Sequence, residues 1–310
     1  MEKREFLKIA GASALLAATG EWRGLASAEK PPKSELSPIT SDAQPISTKE
    51  RIARVAQAQR WMAEHDLDAV PLEPGPAMVY FTGDRWWRSE RLTAAVIPCE
   101  GEIAIVTPYF EEPSIRESMS FGDDVRTWHE HENPFERIAQ ILKDRRAKSG
   151  RIGIEDTVRF FATLGLQEAL PDARLTTAAP VTRGCRMLKS VHELQLMHKA
   201  AEVTLTAYEH VWTNLQIGMT PDDVKTLMTE AQNQLGGSGT WGMALFGEAS
   251  AYPPGTDQPQ VLKAGQIVLM DCGTSVLDYA SDISRTLVFG ESTKRQREMI
   301  LPAVPGDSFS

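Results

Sequence analysis

The feature that most constrains this chain is a pair of acids at the facing ends of two apolar runs. Ile267-Val268-Leu269-Met270 leads into Asp271, and Asp282, eleven residues on, opens a second run that carries Ile283, Leu287 and Val288. Short runs of this composition favour strands. In a simple antiparallel hairpin turning at Val276-Leu277, Asp271 and Asp282 are opposite partners with side chains on one face. Two carboxylates that close repel unless a cation or a proton lies between them. Oxygen donors of this kind suit Mn²⁺, Zn²⁺ or a similar divalent ion. The competing reading has Asp271 shaping a turn and Asp282 pairing with Arg285.

The rest of the chain reads as ordinary globular protein. Its 310 residues are 42% hydrophobic and 24% charged, which excludes disordered, collagen-like and coiled-coil classes and predicts about two domains. No segment approaches the roughly 20 apolar residues of a bilayer span. A net charge of −9 provides no basic field for phosphates, so nucleic acid is not an expected partner. Cys99, Cys185 and Cys272 lie far apart, with neither a disulfide framework nor metal-type spacing.

Residues 1–28 read as an export signal: basic Lys3 and Arg4, a small-residue apolar run over 9–20, and Ala26-Ser27-Ala28 at a cleavage point. The segment resembles a twin-arginine signal in which Lys3 replaces the first Arg, and it implies a periplasmic or secreted protein; the competing reading is an amphipathic N-terminal helix on a cytoplasmic one. Residues 29–46, with four prolines among polar residues, read as an extended tether.

Ser47-Thr48-Lys49-Glu50 is a capping box that opens a helix to about Asp66. Strand-type runs are expected at 67–72, 78–82, 92–98 and 103–107, followed by a helix from Pro134 to about Ser149, a strand at 151–155, a helix at 159–170 and a strand at 174–178. Strands alternating with helices over 47–180 make a three-layer α/β domain. A second domain, 181–310, starts with the Ser190 to Glu193 capping box and a long helix. A helix capped by Thr220 and stopped by Gly236-Gly237 follows, then strands at 242–246, 266–272 and 279–289.

These motifs together resemble the creatinase/prolidase/methionine-aminopeptidase metallohydrolases, family M24, with their pita-bread catalytic fold. The resemblance rests on Asp271-x-Gly273 with Tyr279-x-Ser281-Asp282-x-Ser284-Arg285-Thr286, on Arg186-Met-Leu-Lys189-Ser190-x-x-Glu193-Leu194, and on Phe246-Gly247-Glu248-Ala249-Ser250-Ala251. It implies a mixed α/β and α+β chain: a creatinase-type N-terminal α/β domain and the first half of the catalytic domain. It further implies that Asp271 chelates one of two divalent ions (Mn, Zn, Co or Fe) and that Asp282 bridges both. The metal pair would lower the pKa of a bridging water, and the resulting hydroxide would attack an amide beside proline in a peptide or small amide substrate. The remaining ligands of the family are one His and two Glu from the second half of that domain. Relatives form homodimers in which the N-terminal domain reaches the neighbour's pocket. Trp86 or Trp87 stacking a substrate ring, with Arg88 or Arg91 meeting a carboxylate, is one expectation; the other is that both tryptophans fill a domain interface.

Two departures from the pattern stand out. Where the family has Pro-His-Gly this chain has Pro253-Pro254-Gly255, so Pro254 occupies the position of a histidine and cannot move a proton. The sequence runs only 28 residues beyond Asp282, about half the size expected of this domain, so the chain by itself is expected to be inactive. His65, His192, His198 and His210 read as core or surface residues rather than ligands. His129-Glu130-His131-Glu132 reads as a solvated strand-to-helix loop, with imidazole ligation of zinc as the alternative. Two further functions stay open: a metal-free binding module, and creatinase-like C–N hydrolysis or lyase chemistry on the same scaffold.

Overall fold

The computed structural model describes residues 36–147, 150–252 and 255–300. The export segment and Pro254 lie outside them. No helix among the described residues is long and apolar enough to cross a membrane. The fold divides into two compact units, one formed by Ala43–Lys199 with Leu277–Tyr279, the other by the described parts of Met1–Asp42, Ala200–Val276 and Ala280–Ser310.

The unit containing Ala43–Lys199 begins with α1 (Thr48–Glu64), capped as its sequence predicts, with the Ser47 hydroxyl accepting from the Glu50 N–H and Glu50 reaching back. A six-stranded sheet in the order β4-β3-β2-β1-β5-β6 forms the middle layer. Its strands are β1 (Ala69–Leu72), β2 (Ala94–Pro98), β3 (Ala104–Pro108), β4 (Asp124–Trp128), β5 (Arg151–Ile154) and β6 (Arg174–Thr177). Only β2 runs against its neighbours. Alternation assigns the two faces: Val70, Leu72, Ala95, Ile97 and Ile105 pack into one core, Ala69, Ala94, Val96, Ala104 and Val106 into the other. The first core is covered by α1, α2 (Pro76–Thr82) and α6 (Ala179–Met187), the second by α4 (Pro134–Asp144) and α5 (Phe160–Ala169). This is the three-layer arrangement the sequence pattern implies.

One assignment needs correction and three elements were missed. Residues 78–82 form helix α2, not a strand. A five-residue apolar run has no period of its own, and Pro76 in the first turn with left-handed Gly83 at the end decides for the helix. Helix α3 (Glu112–Ser118), strand β4 and helix α6 carry signals too short or too polar to stand out.

The other unit takes residues 200–214 of α7 (Val191–Asn214), then α8 (Pro221–Gln234), capped by Thr220, and a sheet in the order β10-β8-β7. The strands are β7 (Ser238–Phe246), β8 (Ile267–Val276) and β10 (Ile283–Val288), with the short β9 (Tyr279–Ala280) also paired to β8.

In the first unit His192 donates to Glu50 at 2.8 Å through Nδ1, and its Nε2 meets the Gln44 carbonyl at 3.0 Å. Both ring nitrogens face acceptors, so the imidazolium satisfies both. The Glu50 hydrogen bond holds the His192 pKa above its usual value. Burial acts to raise the Glu50 carboxyl, but Ser47 and His192 outweigh it and bring it down to about 2. The stabilisation is therefore complete only above the unfolded Glu value near 4.3 and below the unfolded His value near 6.5. It fades as pH falls toward the depressed Glu50 value or rises through the raised His192 value. His192→Asn is expected to cost up to about 1 kcal/mol at pH 5.5, the range of a solvent-screened pair, and less at pH 8.5; urea denaturation at the two pH values measures it.

Candidate metal hairpin

The hairpin starts from alternation along β8. Val268, Met270, Cys272, Thr274 and Val276 are buried, while Ile267, Leu269, Asp271 and Ser275 are only half-buried. The buried row faces α7: the Tyr208 hydroxyl donates to the Met270 carbonyl at 3.0 Å and meets the Ile283 carbonyl at 2.7 Å. Burial pushes both the Tyr208 hydroxyl and the Cys272 thiol up in pKa, so both are neutral packing groups at neutral pH. Asp271 is thereby fixed on the face away from the helices.

The register differs from the sequence expectation by two residues. Ser284, not Asp282, stands opposite Asp271, and its hydroxyl donates to Asp271 Oδ1 at 2.6 Å. Leu277 and Asp278 both have positive φ, 49° and 75°, so the turn falls on this pair rather than at Val276-Leu277. A two-residue loop with that backbone is the one whose twist matches antiparallel strands. A shift of two preserves the face, since side chains alternate with period two. Continued by one residue, this register would set Asp282 diagonal to Asp271, a relation in which the two positions are about 7 to 8 Å apart.

The second strand is also not continuous, as a single run over 279–289 would have been. It breaks at Ser281 and Asp282 between β9 and β10. Ser281 is buried and turns toward the helices, where Thr204 of α7 is 2.7 Å away, and Thr204 in turn takes a hydrogen bond from Gln232 of α8 at 3.3 Å. The Thr274 N–H donates to the Ser281 hydroxyl at 3.1 Å, so a side chain occupies the place a ladder carbonyl would take. The displaced Ser281 carbonyl lies over Gly273, where any Cβ would collide with it and with the Trp241 indole. With Ser281 facing inward, Asp282 points outward and is exposed. Interruptions of this kind re-aim one side chain while the rest of the ladder keeps its register.

The turn itself, Leu277–Tyr279, belongs to the unit of Ala43–Lys199. There Arg54 donates to the Tyr279 hydroxyl at 2.8 Å, Tyr279 donates to Glu193 at 3.0 Å, and Arg54 and Glu193 form an ion pair at 3.2 Å with little solvent exposure. Burial raises the Tyr279 hydroxyl to about 12. Arg85 pairs with Asp278 at 2.5 Å. Sequence reasoning singled out neither Arg54 nor Arg85; Glu193 was read as a capping residue, and it also caps α7 through the Ser190 N–H at 2.7 Å.

The aromatic and basic run lies elsewhere in that unit. Trp86 is partly buried and donates to Glu111 at 3.1 Å, stacking on an exposed Trp87 with ring centroids 4.7 Å apart. Arg88 donates to the Pro74 carbonyl at 2.8 Å and the Thr157 hydroxyl at 2.7 Å. Arg91 pairs with Glu130 at 2.6 Å and with Glu90, and lies over the Phe110 ring. The two arginines are thus already engaged inside the unit.

The donor set of the hairpin fits a hard divalent ion in kind and in facing, but not in number. Among the described residues no group of three or more His, Cys, Asp or Glu side chains is placed to hold a metal. Gly273→Ala is expected to cost at least about 2 kcal/mol, the range for forcing a side chain into filled space. Ser281→Ala, which leaves the Thr274 N–H without its acceptor, is expected to cost about 1 to 3 kcal/mol. Chemical denaturation reads both.

Comparison with known proteins identifies the relatives of this chain. Residues 54–188 match the Creatinase/Prolidase N-terminal domain, and residues 195–303 match Metallopeptidase family M24. An uncharacterized peptidase of Schizosaccharomyces pombe is 32% identical over 272 residues, covering 81% of this chain and 57% of the relative. The chain thus spans little more than half of that relative's length. A putative dipeptidase of Bacillus subtilis is 27% identical, covering 78% of this chain and 68% of the relative. Among solved structures, dipeptidase PepE from Mycobacterium ulcerans superposes with a TM-score of 0.74 at 27% identity, covering 82% of this chain and 69% of the other. A prolidase from Thermococcus sibiricus shares the fold with a TM-score of 0.72 at 22% identity, covering 80% and 68%. By its two matched segments, residues 54–188 and 195–303, this chain belongs to the creatinase/prolidase-type metallopeptidases of family M24.

Proposed function

We propose that the chain is part of an exported Xaa-Pro peptidase that hydrolyses the amide next to proline in small peptides. The observation that carries this reading is that Asp271 lies on the outer face of an interrupted hairpin, with Ser284 opposite it and an exposed Asp282 two residues before Ser284. Together these carboxylates would hold part of a divalent metal pair, which when bound lowers the pKa of water enough for hydrolysis near neutral pH. Among the described residues no group of three or more such donors is assembled, so these residues by themselves are expected to show no turnover. The homodimer of the family and a periplasmic or secreted location belong to the same proposal. So does a substrate-stacking role for Trp87, whose indole is 66% exposed. One feature favours a second reading. Pro254 stands where the family pattern has a histidine, which leaves room for C–N hydrolysis of a different small amide, or lyase chemistry, on the same scaffold.

The test uses residues 29–310 with Mn²⁺ and a panel of Xaa-Pro dipeptides, following release of proline. No turnover is expected. Turnover of any of these dipeptides overturns that expectation, and its loss in Asp271→Asn and Asp282→Asn would then assign the metal to these side chains.

A further inference from the structure

We propose that His129 and His131 form a second cation site, a surface chelate for one late first-row divalent ion such as Zn²⁺ or Ni²⁺, independent of the aspartate hairpin. Strand β4 ends at Trp128, whose indole N–H donates to the Leu92 carbonyl at 3.0 Å, so both histidines lie in the turn that follows. That turn is locked. The His129 N–H donates to Glu132 Oε2 at 2.8 Å, and the Glu132 N–H returns to the His129 carbonyl at 2.8 Å. The other oxygen of Glu132 takes Arg137 at 2.6 Å, and Glu130 takes Arg91 at 2.6 Å. The two acids of the motif are therefore committed to arginines, and the two imidazoles remain as its available donors.

Their geometry suits a single ion. Both side chains are exposed and their rings are stacked, 10° from parallel with centroids 5.8 Å apart, so rotation about χ2 is what turns one nitrogen of each toward an ion between them. Two imidazoles that each give one nitrogen to an ion at about 2.0 to 2.1 Å have centroids roughly 5.2 Å apart at a tetrahedral angle and about 6.4 Å apart when opposed. The observed spacing falls between these limits. Tyr109 packs against His129 with ring centroids 4.7 Å apart, which supports that imidazole from the side. Imidazole donors favour zinc, nickel and copper, whereas carboxylates suit manganese and magnesium. The two sites on this chain therefore differ in the ions they select, and solvent completes the coordination of the histidine pair.

Calorimetric titration of the whole chain with ZnCl₂, and separately with NiCl₂, tests this. One equivalent is expected to bind. Truncating either ligand, in His129→Ala or His131→Ala, is expected to weaken binding tenfold or more, at least the loss produced by removing a mere supporting partner. The Asp271→Asn/Asp282→Asn double variant is expected to bind as the parent does. Absence of binding to the parent chain, equal affinity in the histidine variants, or loss of the equivalent in the aspartate variant each overturns the proposal. Circular dichroism of the histidine variants confirms that any loss is not a loss of fold.

Discussion

A strand buried on one side leaves no choice about where its other side chains go. Once Met270, Cys272, Thr274 and Val276 fill the space beneath α7 and α8, Asp271 must stand on the outer face. A one-residue slip would bury the acid and expose the apolar row, a loss of several buried side chains worth about 1.5 to 3 kcal/mol each. The position of the carboxylate is thus a consequence of core packing, not of any contact the carboxylate makes itself.

The same logic explains the interruption before Asp282. A regular ladder would give Thr274 the carbonyl of Ser281; here it receives the hydroxyl, and the carbonyl moves over Gly273. The hydroxyl in turn is held by Thr204, which is tied to Gln232, so two helices and two strands meet in one buried polar chain. Buried hydroxyls and amides of this kind are costly unless paired, and the pairing is what makes a single geometry preferable to its neighbours. Gly273 is the steric condition for the arrangement, which gives the Asp-x-Gly spacing a mechanical meaning beyond its resemblance to a motif.

The N-terminal unit shows how far local signals reach. Its capping boxes at Ser47 and Ser190, the Asn133-Pro134 start of α4 and the apolar runs of β2 and β3 are all local, and each forms where the residues indicate. The exceptions share one cause. Residues 78–82 are too short to display a period, and β4 is half-buried along most of its length, so its hydrophobic signal is weak. In both cases neighbours decided what sequence left ambiguous: Gly75 and Gly83 bracket the helix, and pairing with β3 recruits β4. The His129 and His131 rings lie on the same side for a related reason, because the turn closed by Glu132 carries them and no strand continues there.

The sequence alone determined the family, the α/β plan of the N-terminal unit and the capped helix starts, because capping, short-range periodicity and motif spacing are properties of neighbouring residues. Only the tertiary structure decided the register, the break at Ser281 and the partners that hold the hairpin turn. Those depend on backbone signs at Leu277 and Asp278 and on side chains such as Thr204 and Arg54 that lie 77 and 225 residues from what they hold. A two-residue change in pairing leaves every local pattern intact, so nothing in the linear order could distinguish an opposed pair of acids from a diagonal one.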